Sequence, residues 1–330
     1  MALQVFQTIA KQPELVNSYA GLTKTSDIKF SKVFKIFFPA NGYKTDDNIV
    51  SWLDTFGNNF TFPKIYHQLR VGGYSENDNI FEFMNGFPIH KTKAVFLGNE
   101  PAFGVPSSGY AFHGSPCAST WQVLQFLRDE IQRVSLFNGI KDKDNVNWDE
   151  NYSMSGWIQQ GVLLMNAHPT LNFGNVHSLW WVFTDFVLKY LSDSLSNVVF
   201  ILLGDVNDSK NHLIDPDRHW IICLYHPSKY CYRDYSEIDR DRDWDTMIPF
   251  TNAQFYMYQV RGDSLIDWGD VDGFGLEGKS QRFIQLQKLF DEAIQRGPSE
   301  IGSYERLNWY FIVVRNDKRY LTLKYWPKRS

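Results

Sequence analysis

Four short runs of consecutive apolar residues lie along the middle of the chain, at 94–98, 161–166, 197–204 and 220–225. Continuous apolar runs of this length predict strands that are buried on both faces, as in a parallel sheet. Between the runs, apolar residues recur at helical spacing over 120–134, with Ser119 as the expected N-cap, and over 178–195. The alternation predicts a three-layer α/β/α fold with a central, mostly parallel four-stranded sheet.

The two ends of the chain differ from the middle. Residues 1–45 mix helical periodicity with Phe and Lys, and we expect an N-terminal extension there. Residues 272–330 combine an amphipathic helical stretch with two strand-like segments, which predicts a small C-terminal α+β appendage. The main domain is therefore expected to occupy residues 46–271.

Composition narrows the class of protein. The formal net charge of −4 argues against binding of nucleic acid by charge alone, but it allows contacts through backbone amides and neutral loops. Three cysteines without a C-x-x-C pair predict a reducing compartment, and no Cys/His cluster has zinc-ligand spacing. With no membrane-spanning run and no signal peptide, we expect an intracellular protein, cytoplasmic or nuclear, that uses no metal or cofactor.

Residues suited to chemistry follow the predicted strands. Glu100 comes just after the first run, Asn166 ends the second, His226 follows the fourth, and Phe112 lies in the loop beyond Glu100. A carboxylate suits positioning water, an amide suits reading a pyrimidine edge, and an imidazole suits donating to a developing anion. Each also has a purely structural explanation in turns or core packing. Ligands of open α/β sheets bind where the strands end, so we expect these residues to converge.

The order of these residues resembles that of the uracil-DNA glycosylases, family 1 in particular. The family's G-Q-D-P-Y-H is similar to GNEPAF at 98–103, its W-x-x-Q-G-V-L-L-L-N to WIQQGVLLMN at 157–166, and its H-P-S-P to HPSK at 226–229. Further matches follow in order at 116–119, 177–185, 198–204 and 265–268. The resemblance covers roughly residues 60–270 and implies that 46–271 is the catalytic domain.

The resemblance implies a DNA glycosylase, which flips a nucleotide out of the duplex and hydrolyses its N-glycosidic bond. The implied catalytic residues are Glu100, which would orient water and favour the cationic sugar, and His226, which would hydrogen-bond the base oxygen that gains charge. No cofactor and no metal are implied. DNA is the expected partner, and we expect a monomer that does not bind membranes.

The resemblance also implies which side chains hold the base and the DNA. Asn166 would read the Watson–Crick edge and Phe112 would stack on the base. The full base-binding set is Asn99, Ala102, Phe103, Phe112 and Asn166. Loops that would pinch the phosphates contain Pro106, Ser119, Gly204 and Ser228. Tyr230 lies near the position from which the family inserts a leucine into the gap that the flipped base leaves.

Two departures from the family bear on the reaction. Glu100 replaces an aspartate, which keeps the charge but adds one methylene, and we expect the backbone to compensate for the longer reach. Ala102 replaces a tyrosine that, in the family, excludes bases with a C5 substituent. The enlarged space predicts a C5-substituted pyrimidine as substrate, hydroxymethylated or glucosylated for example, and a role in defence against phage with modified DNA. In the alternative, a neighbouring residue, Phe103 for example, refills the space and uracil remains the substrate.

A third departure is an acid-rich insertion at 234–245, in a region that faces DNA in the family. Acid there would repel phosphate unless Arg233, Arg240 and Arg242 point inward. The insertion would otherwise contact a substituent on the base or a protein partner, and the flanks are a second candidate surface for such a partner. Two other functions stay open from the sequence: an ordinary uracil-DNA glycosylase in base-excision repair, and a noncatalytic DNA-binding or replication subunit.

Overall fold

A computed structural model describes residues 48, 51, 52, 55, 65, 79–137, 152–171, 176–231, 242–261, 266–273, 285, 288 and 291. The predicted N-terminal extension lies outside the described residues. Most of the predicted C-terminal appendage and most of the insertion at 234–245, including Arg233 and Arg240 near or within it, lie outside them as well.

The four apolar runs form the predicted strands. They are β1 (Ala94–Gly98), β2 (Val162–Asn166), β3 (Val199–Leu203) and β4 (Trp220–Leu224). All three strand pairs are parallel, and the order across the sheet is β2-β1-β3-β4. Nearly every residue in these strands is buried, which explains why the sequence shows continuous apolar runs rather than alternation.

Helices connect and flank the strands. They are α1 (Ala118–Phe137), α2 (Ser155–Gln159), α3 (Val176–Ser194), α4 (Asp205–Asp208), α5 (Ser228–Cys231), α6 (Trp244–Met247) and α7 (Pro249–Arg261). Short 3-10 helices occupy Glu82–Met84, Ile89–Lys91 and Asn211–Leu213. The two long predicted helices are confirmed as α1 and α3. The expected N-cap is wrong, because Ser119 lies inside the first turn of α1.

The sheet order places the two long helices on opposite faces. The connection from β1 to β2 runs one way across the sheet, and the connection from β2 to β3 runs back past β1. Right-handed crossovers in opposite directions place their helices, α1 and α3, on opposite sides. The predicted three-layer α/β/α fold is confirmed. The connection after β1 leads to one side of the sheet and the connection after β3 leads to the other side. In parallel sheets, ligands bind at such a switch point, beyond the carboxyl ends of the two strands.

Buried aromatic residues join segments that are far apart in sequence. The Trp157 indole donates to the carbonyl oxygen of Trp268 at 2.9 Å, and the two rings pack edge to face. Gln160 Nε2 donates to the Asp267 carbonyl at 3.1 Å, while Gln160 Oε1 accepts from the Asp267 backbone N–H at 2.7 Å. These contacts join the segment at 157–160, just before β2, to the segment at 266–268.

Candidate active site

A cavity of about 540 Å³ opens beyond the carboxyl ends of β1, β2 and β3. Its walls include Glu100, Phe112, Asn166 and His226, which come from four separate parts of the chain. The other predicted residues that line it are Asn99, Ala102, Phe103, Pro106, Ser119, Gly204 and Ser228. The structure thus brings together every predicted site residue except Tyr230.

Gly98, the last residue of β1, lets two of these side chains meet. A Cβ at this position would lie 2.5 Å from Asn166 Oδ1 and 3.1 Å from Phe112 Cε2. Real Cβ atoms essentially never come as close as 2.5 Å to another atom, and 3.1 Å is tighter than most contacts, so a larger residue would push the amide away and crowd the ring. The glycine of the GNEPAF segment is therefore required by close packing rather than by backbone conformation.

Asn166 is held rigidly from below. It ends β2 opposite Gly98, and the next two residues continue the ladder: Ala167 N–H donates to Gly98 O, and His168 N–H donates to Asn99 O, both at 2.8 Å. The side chain is only 8% exposed, and it lines the cavity. A buried primary amide carries two donors and one acceptor, which matches the alternating edge of a pyrimidine.

Phe112 forms one wall in a conformation that costs energy. Its backbone φ is +65°, a region that non-glycine residues rarely adopt and one that is common at functional sites. Thr120 Oγ1 donates to its carbonyl oxygen at 3.2 Å, and its ring packs edge to face on Phe96. The ring also lies 6.2 Å from that of His226, centroid to centroid. The aromatic face is thus fixed beside the imidazole.

The contacts of His226 define its protonation. Its Nδ1 accepts from the backbone N–H of Ser228 at 3.3 Å and lies 2.8 Å from the Ser228 hydroxyl. A backbone N–H only donates, so Nδ1 must keep its lone pair. Burial lowers the pKa of His226 to about 4, so the ring is neutral at pH 7. The single ring proton therefore lies on Nε2, which makes that nitrogen a neutral hydrogen-bond donor.

The segment after β1 supplies the carboxylate and a second amide. Glu100 is exposed to solvent on the cavity wall, within reach of water. Asn99 precedes it, and its Oδ1 is buried without a hydrogen-bond partner among the described residues. Buried polar atoms are normally satisfied, so this oxygen is an acceptor available to a ligand.

Ala102 and Phe103 lie on the cavity wall just beyond Glu100. The Phe103 side chain is 85% exposed, so its ring does not fill the space that the short Ala102 side chain leaves. Phe103 is therefore not the neighbouring residue that refills the pocket.

Tyr230 does not lie where the sequence suggested. Its ring is only 6% exposed and packs edge to face on Phe126, and its hydroxyl donates to Asp243 at 2.9 Å. A side chain anchored in this way is not available to enter DNA, so the prediction that Tyr230 contacts DNA is wrong.

Asn207, on α4, is a supporting residue that the sequence did not reveal. Its side-chain amide donates to the carbonyl oxygens of Leu97, Gly98 and Leu203, at 2.9 to 3.1 Å. It thereby joins the carboxyl ends of β1 and β3 directly beneath the cavity. Sequence reasoning missed this role, because an asparagine in a polar stretch after a strand is typical of a turn.

Arg242, within the acidic insertion, forms ion pairs beside the cavity. Its guanidinium pairs with Asp205 at 2.5 Å and with Asp208 at 3.9 Å, and it lies over the Tyr225 ring. Asp205 is largely exposed on the cavity wall. The pairing neutralises part of the negative charge at this edge of the cavity.

Within the described part of the chain, no three His, Cys, Asp or Glu side chains are grouped closely enough to hold a metal ion. In the same residues, no helix has the length and apolar character needed to cross a bilayer.

No family model matches the chain, but its sequence is similar to those of several known enzymes. The chain is 31% identical over 195 residues to a uracil-DNA glycosylase of Borreliella burgdorferi, covering 54% of this chain and 83% of the relative. It is 30% identical over 203 residues to one of Pseudomonas putida, covering 56% and 84%. A third, from Streptococcus pyogenes, is 35% identical over 162 residues, covering 47% and 69%.

A solved structure of mimivirus uracil-DNA glycosylase shares the fold, with a TM-score of 0.51 at 21% identity over 64% of this chain and 83% of the other. The level of identity to relatives that are covered over most of their length is decisive. The chain belongs to the uracil-DNA glycosylase superfamily and is a DNA glycosylase, a hydrolase of N-glycosyl bonds.

Proposed function

We propose that this DNA glycosylase extrudes a pyrimidine nucleotide from DNA and excises a base that carries a substituent at C5. The single observation behind the substituent is that the short Ala102 side chain lines the cavity while the neighbouring Phe103 side chain is 85% exposed. Glu100, Phe112, Asn166 and His226 around the same cavity support the excision chemistry.

The bond to be broken joins the sugar C1′ to the ring nitrogen of the base. As it breaks, its electron pair moves onto the base, and negative charge develops on the adjacent carbonyl oxygen. The Nε2–H of neutral His226 donates a hydrogen bond to that oxygen, which stabilises the charge without full proton transfer. A donor preorganised in a site of low water content is worth more than the same donor in solution.

The sugar becomes cationic at C1′, and Glu100 acts on that side. Its carboxylate favours the positive charge and orients a water molecule, whose oxygen bonds to C1′ while one of its protons passes to the Glu100 carboxylate. That proton returns to solvent, and the departing base anion takes up a proton from solvent. The products are a free base and an abasic site. The extra methylene of glutamate, compared with aspartate, places the carboxylate about one bond further from the Glu100 Cα.

Base selection rests on two fixed side chains, Asn166 and Phe112, and on the small side chain of Ala102. The Asn166 amide reads the Watson–Crick edge, and the Phe112 ring stacks on the base. Ala102 then decides what is allowed at C5. Hydroxymethylated and glucosylated pyrimidines fit this proposal, and such bases distinguish some phage genomes from host DNA. Excision would leave abasic sites in the phage genome only, which is a defence function.

DNA is held with little help from net charge. The chain carries −4 overall, so phosphates would be bound by Ser119, Ser228 and the backbone near Pro106 and Gly204 on the cavity rim. The salt dependence of binding is expected to be shallow, because few counterions are released.

The test is a panel of matched oligonucleotides that contain uracil, thymine, 5-hydroxymethylcytosine or its glucosylated form at one position. We expect release of a C5-substituted base, and we expect Ala102→Tyr to shift preference toward unsubstituted uracil. Glu100→Gln should bind DNA yet lose at least a hundredfold in rate. Release of uracil alone would instead support an ordinary repair glycosylase, as the names of the relatives suggest. DNA binding without any release would identify a noncatalytic subunit.

A further inference from the structure

Strand pairing between β1 and β3 ends one residue earlier on β1 than strand pairing between β1 and β2. The β1–β3 pairing stops at Leu97 and Leu202, whereas the β1–β2 pairing continues to Gly98 and Asn166. Residues that follow both β1 and β3 line the cavity from this point onward. The position of Gly98 relative to the chain after β3 therefore depends on contacts other than the strand ladder.

The Asn207 side chain supplies such a contact. Its Nδ2 donates to the carbonyl oxygens of Leu97 at 3.1 Å, Gly98 at 3.0 Å and Leu203 at 2.9 Å. The Gly98 oxygen also accepts from the Ala167 backbone N–H at 2.8 Å, so one atom ties the ends of three strands together. Asn207 is fully buried and does not line the cavity, so it acts on the site without touching a ligand there.

Asn207 holds two glycines against which the side chains of the site pack. A Cβ on Gly98 would lie 2.5 Å from Asn166 Oδ1, and a Cβ on Gly204 would lie 3.2 Å from His226 Cβ. The Asn207 side chain is bonded to the Gly98 carbonyl oxygen, and its backbone N–H donates to the Gly204 carbonyl oxygen at 3.1 Å. A single residue thus connects the support of the amide to the support of the imidazole.

We propose that Asn207 is a positioning residue for base excision, and that it sets the separation between the Asn166 amide and the His226 imidazole. Both side chains must meet the same bound base, one at its edge and one at the oxygen that gains charge, so their separation has to match the base. This inference rests on the proposed function for the roles of these two side chains. It does not depend on which pyrimidine is excised.

Asn207→Ser separates the contact between strands from the local one. A serine hydroxyl commonly donates to the carbonyl oxygen four residues earlier, here that of Leu203, but it is too short to reach β1 as well. Because misplacement by about 1 Å costs on the order of a hundredfold in rate, we expect single-turnover excision to slow roughly ten- to a hundredfold. The dissociation constant for DNA should change less than about threefold, since the lost bonds are not made to the ligand.

Asn252 offers a matched control. It is only 2% exposed, its Nδ2 donates to the Met247 carbonyl oxygen, and it does not line the cavity. Like Asn207, it has a buried Oδ1 without a hydrogen-bond partner among the described residues. Asn252→Ala should lower the melting temperature at least as much as Asn207→Ser does, yet leave the excision rate unchanged.

The experiment measures melting temperature, DNA affinity and single-turnover rate for the full chain and both variants, on the substrate that the oligonucleotide panel identifies. Adding Asn207→Ser to His226→Ala should cost less than Asn207→Ser costs the wild-type chain, because part of its effect acts through that imidazole. A full rate in Asn207→Ser, or an equal loss of rate in Asn252→Ala, would overturn the proposal.

A second readout does not need excision. In the DNA-free protein, ¹⁵N NMR reports the Asn166 side-chain amide and the His226 ring nitrogens. Asn207→Ser should shift both sets of signals, and Asn252→Ala should shift neither. Unmoved signals in Asn207→Ser would refute the positioning role even if the wild-type chain releases no base, whereas absence of release by the wild-type chain would count against the proposed function alone.

Discussion

The substitution Gly98→Ala tests whether the site depends on the close approach of Asn166 and Phe112. The new Cβ would lie 2.5 Å from Asn166 Oδ1, and ordinary contact begins near 3.4 Å, so the amide must move by roughly 1 Å. Misplacement of a positioning group by this distance costs on the order of a hundredfold in rate. The Phe112 ring, at 3.1 Å from the new atom, must also give way by a few tenths of an ångström.

Stability should respond differently from activity. The clashing atom is the end of a side chain rather than backbone, and Gly98 has no positive φ to preserve. Alanine also lowers the entropy of the unfolded chain, worth about 0.4–1 kcal/mol. We therefore expect Gly98→Ala to fold with nearly unchanged stability while kcat/KM falls about a hundredfold on the substrate that the oligonucleotide panel identifies.

Two comparisons make this prediction sharp. Gly86→Ala is the matched control, because its Cβ would lie at the same 2.5 Å from a side-chain atom, Ile158 Cγ2, in the core. It should lower the melting temperature and leave kcat/KM of the folded protein intact. Adding Gly98→Ala to Asn166→Ala should cost much less than Gly98→Ala costs the wild-type chain, because the larger part of its effect acts through Asn166 and only the smaller displacement of Phe112 remains. Full activity of Gly98→Ala, or strictly additive losses, would refute the reasoning.

Two pH-dependent properties follow from buried groups. Burial lowers the pKa of His226 to about 4, below its unfolded value, so its neutral donor form should persist as pH falls through 6.5; a ¹⁵N NMR titration with a midpoint between 6 and 7 would contradict this. Burial raises the pKa of Glu130 to about 7 despite backbone N–H donors of Phe250 and Thr251 at the start of α7. Because the folded state then holds the extra proton, stability should fall as pH rises from about 4.5 to 7, by at most about 3 kcal/mol. Glu130→Gln should remove that loss, so its stability advantage in urea unfolding should grow between pH 5 and pH 8; a constant difference would be the contrary result.

The sheet could be predicted from the sequence because its signal is local. Each strand is buried on both faces, so each appears as an uninterrupted apolar run, and observed ends differ from the predicted ones by no more than two residues. Convergence of Asn166 and His226 at one edge follows from the parallel direction of the strands, which any α/β sheet with crossovers imposes.

What the sequence did not predict depends on contacts between distant residues. Tyr230 follows the HPS segment, where a side chain that enters DNA was expected, but its ring packs on Phe126 of α1 and its hydroxyl binds Asp243 within the insertion. The sequence around Asn207 is typical of a turn, and only the folded sheet places the carbonyl oxygens at the ends of β1 and β3 around its side chain. Glu130 looks like a surface helix position, and only α7 packing above it makes it buried.

The most direct test of the account is a crystal structure of Glu100→Gln bound to a duplex that carries the preferred base. The account predicts one extruded nucleotide in the cavity, with its face against Phe112, its edge on the Asn166 amide, and a base oxygen within hydrogen-bond distance of His226 Nε2. Its C5 substituent should point toward Ala102. A target base still stacked in the duplex, or one bound away from these four side chains, would contradict it.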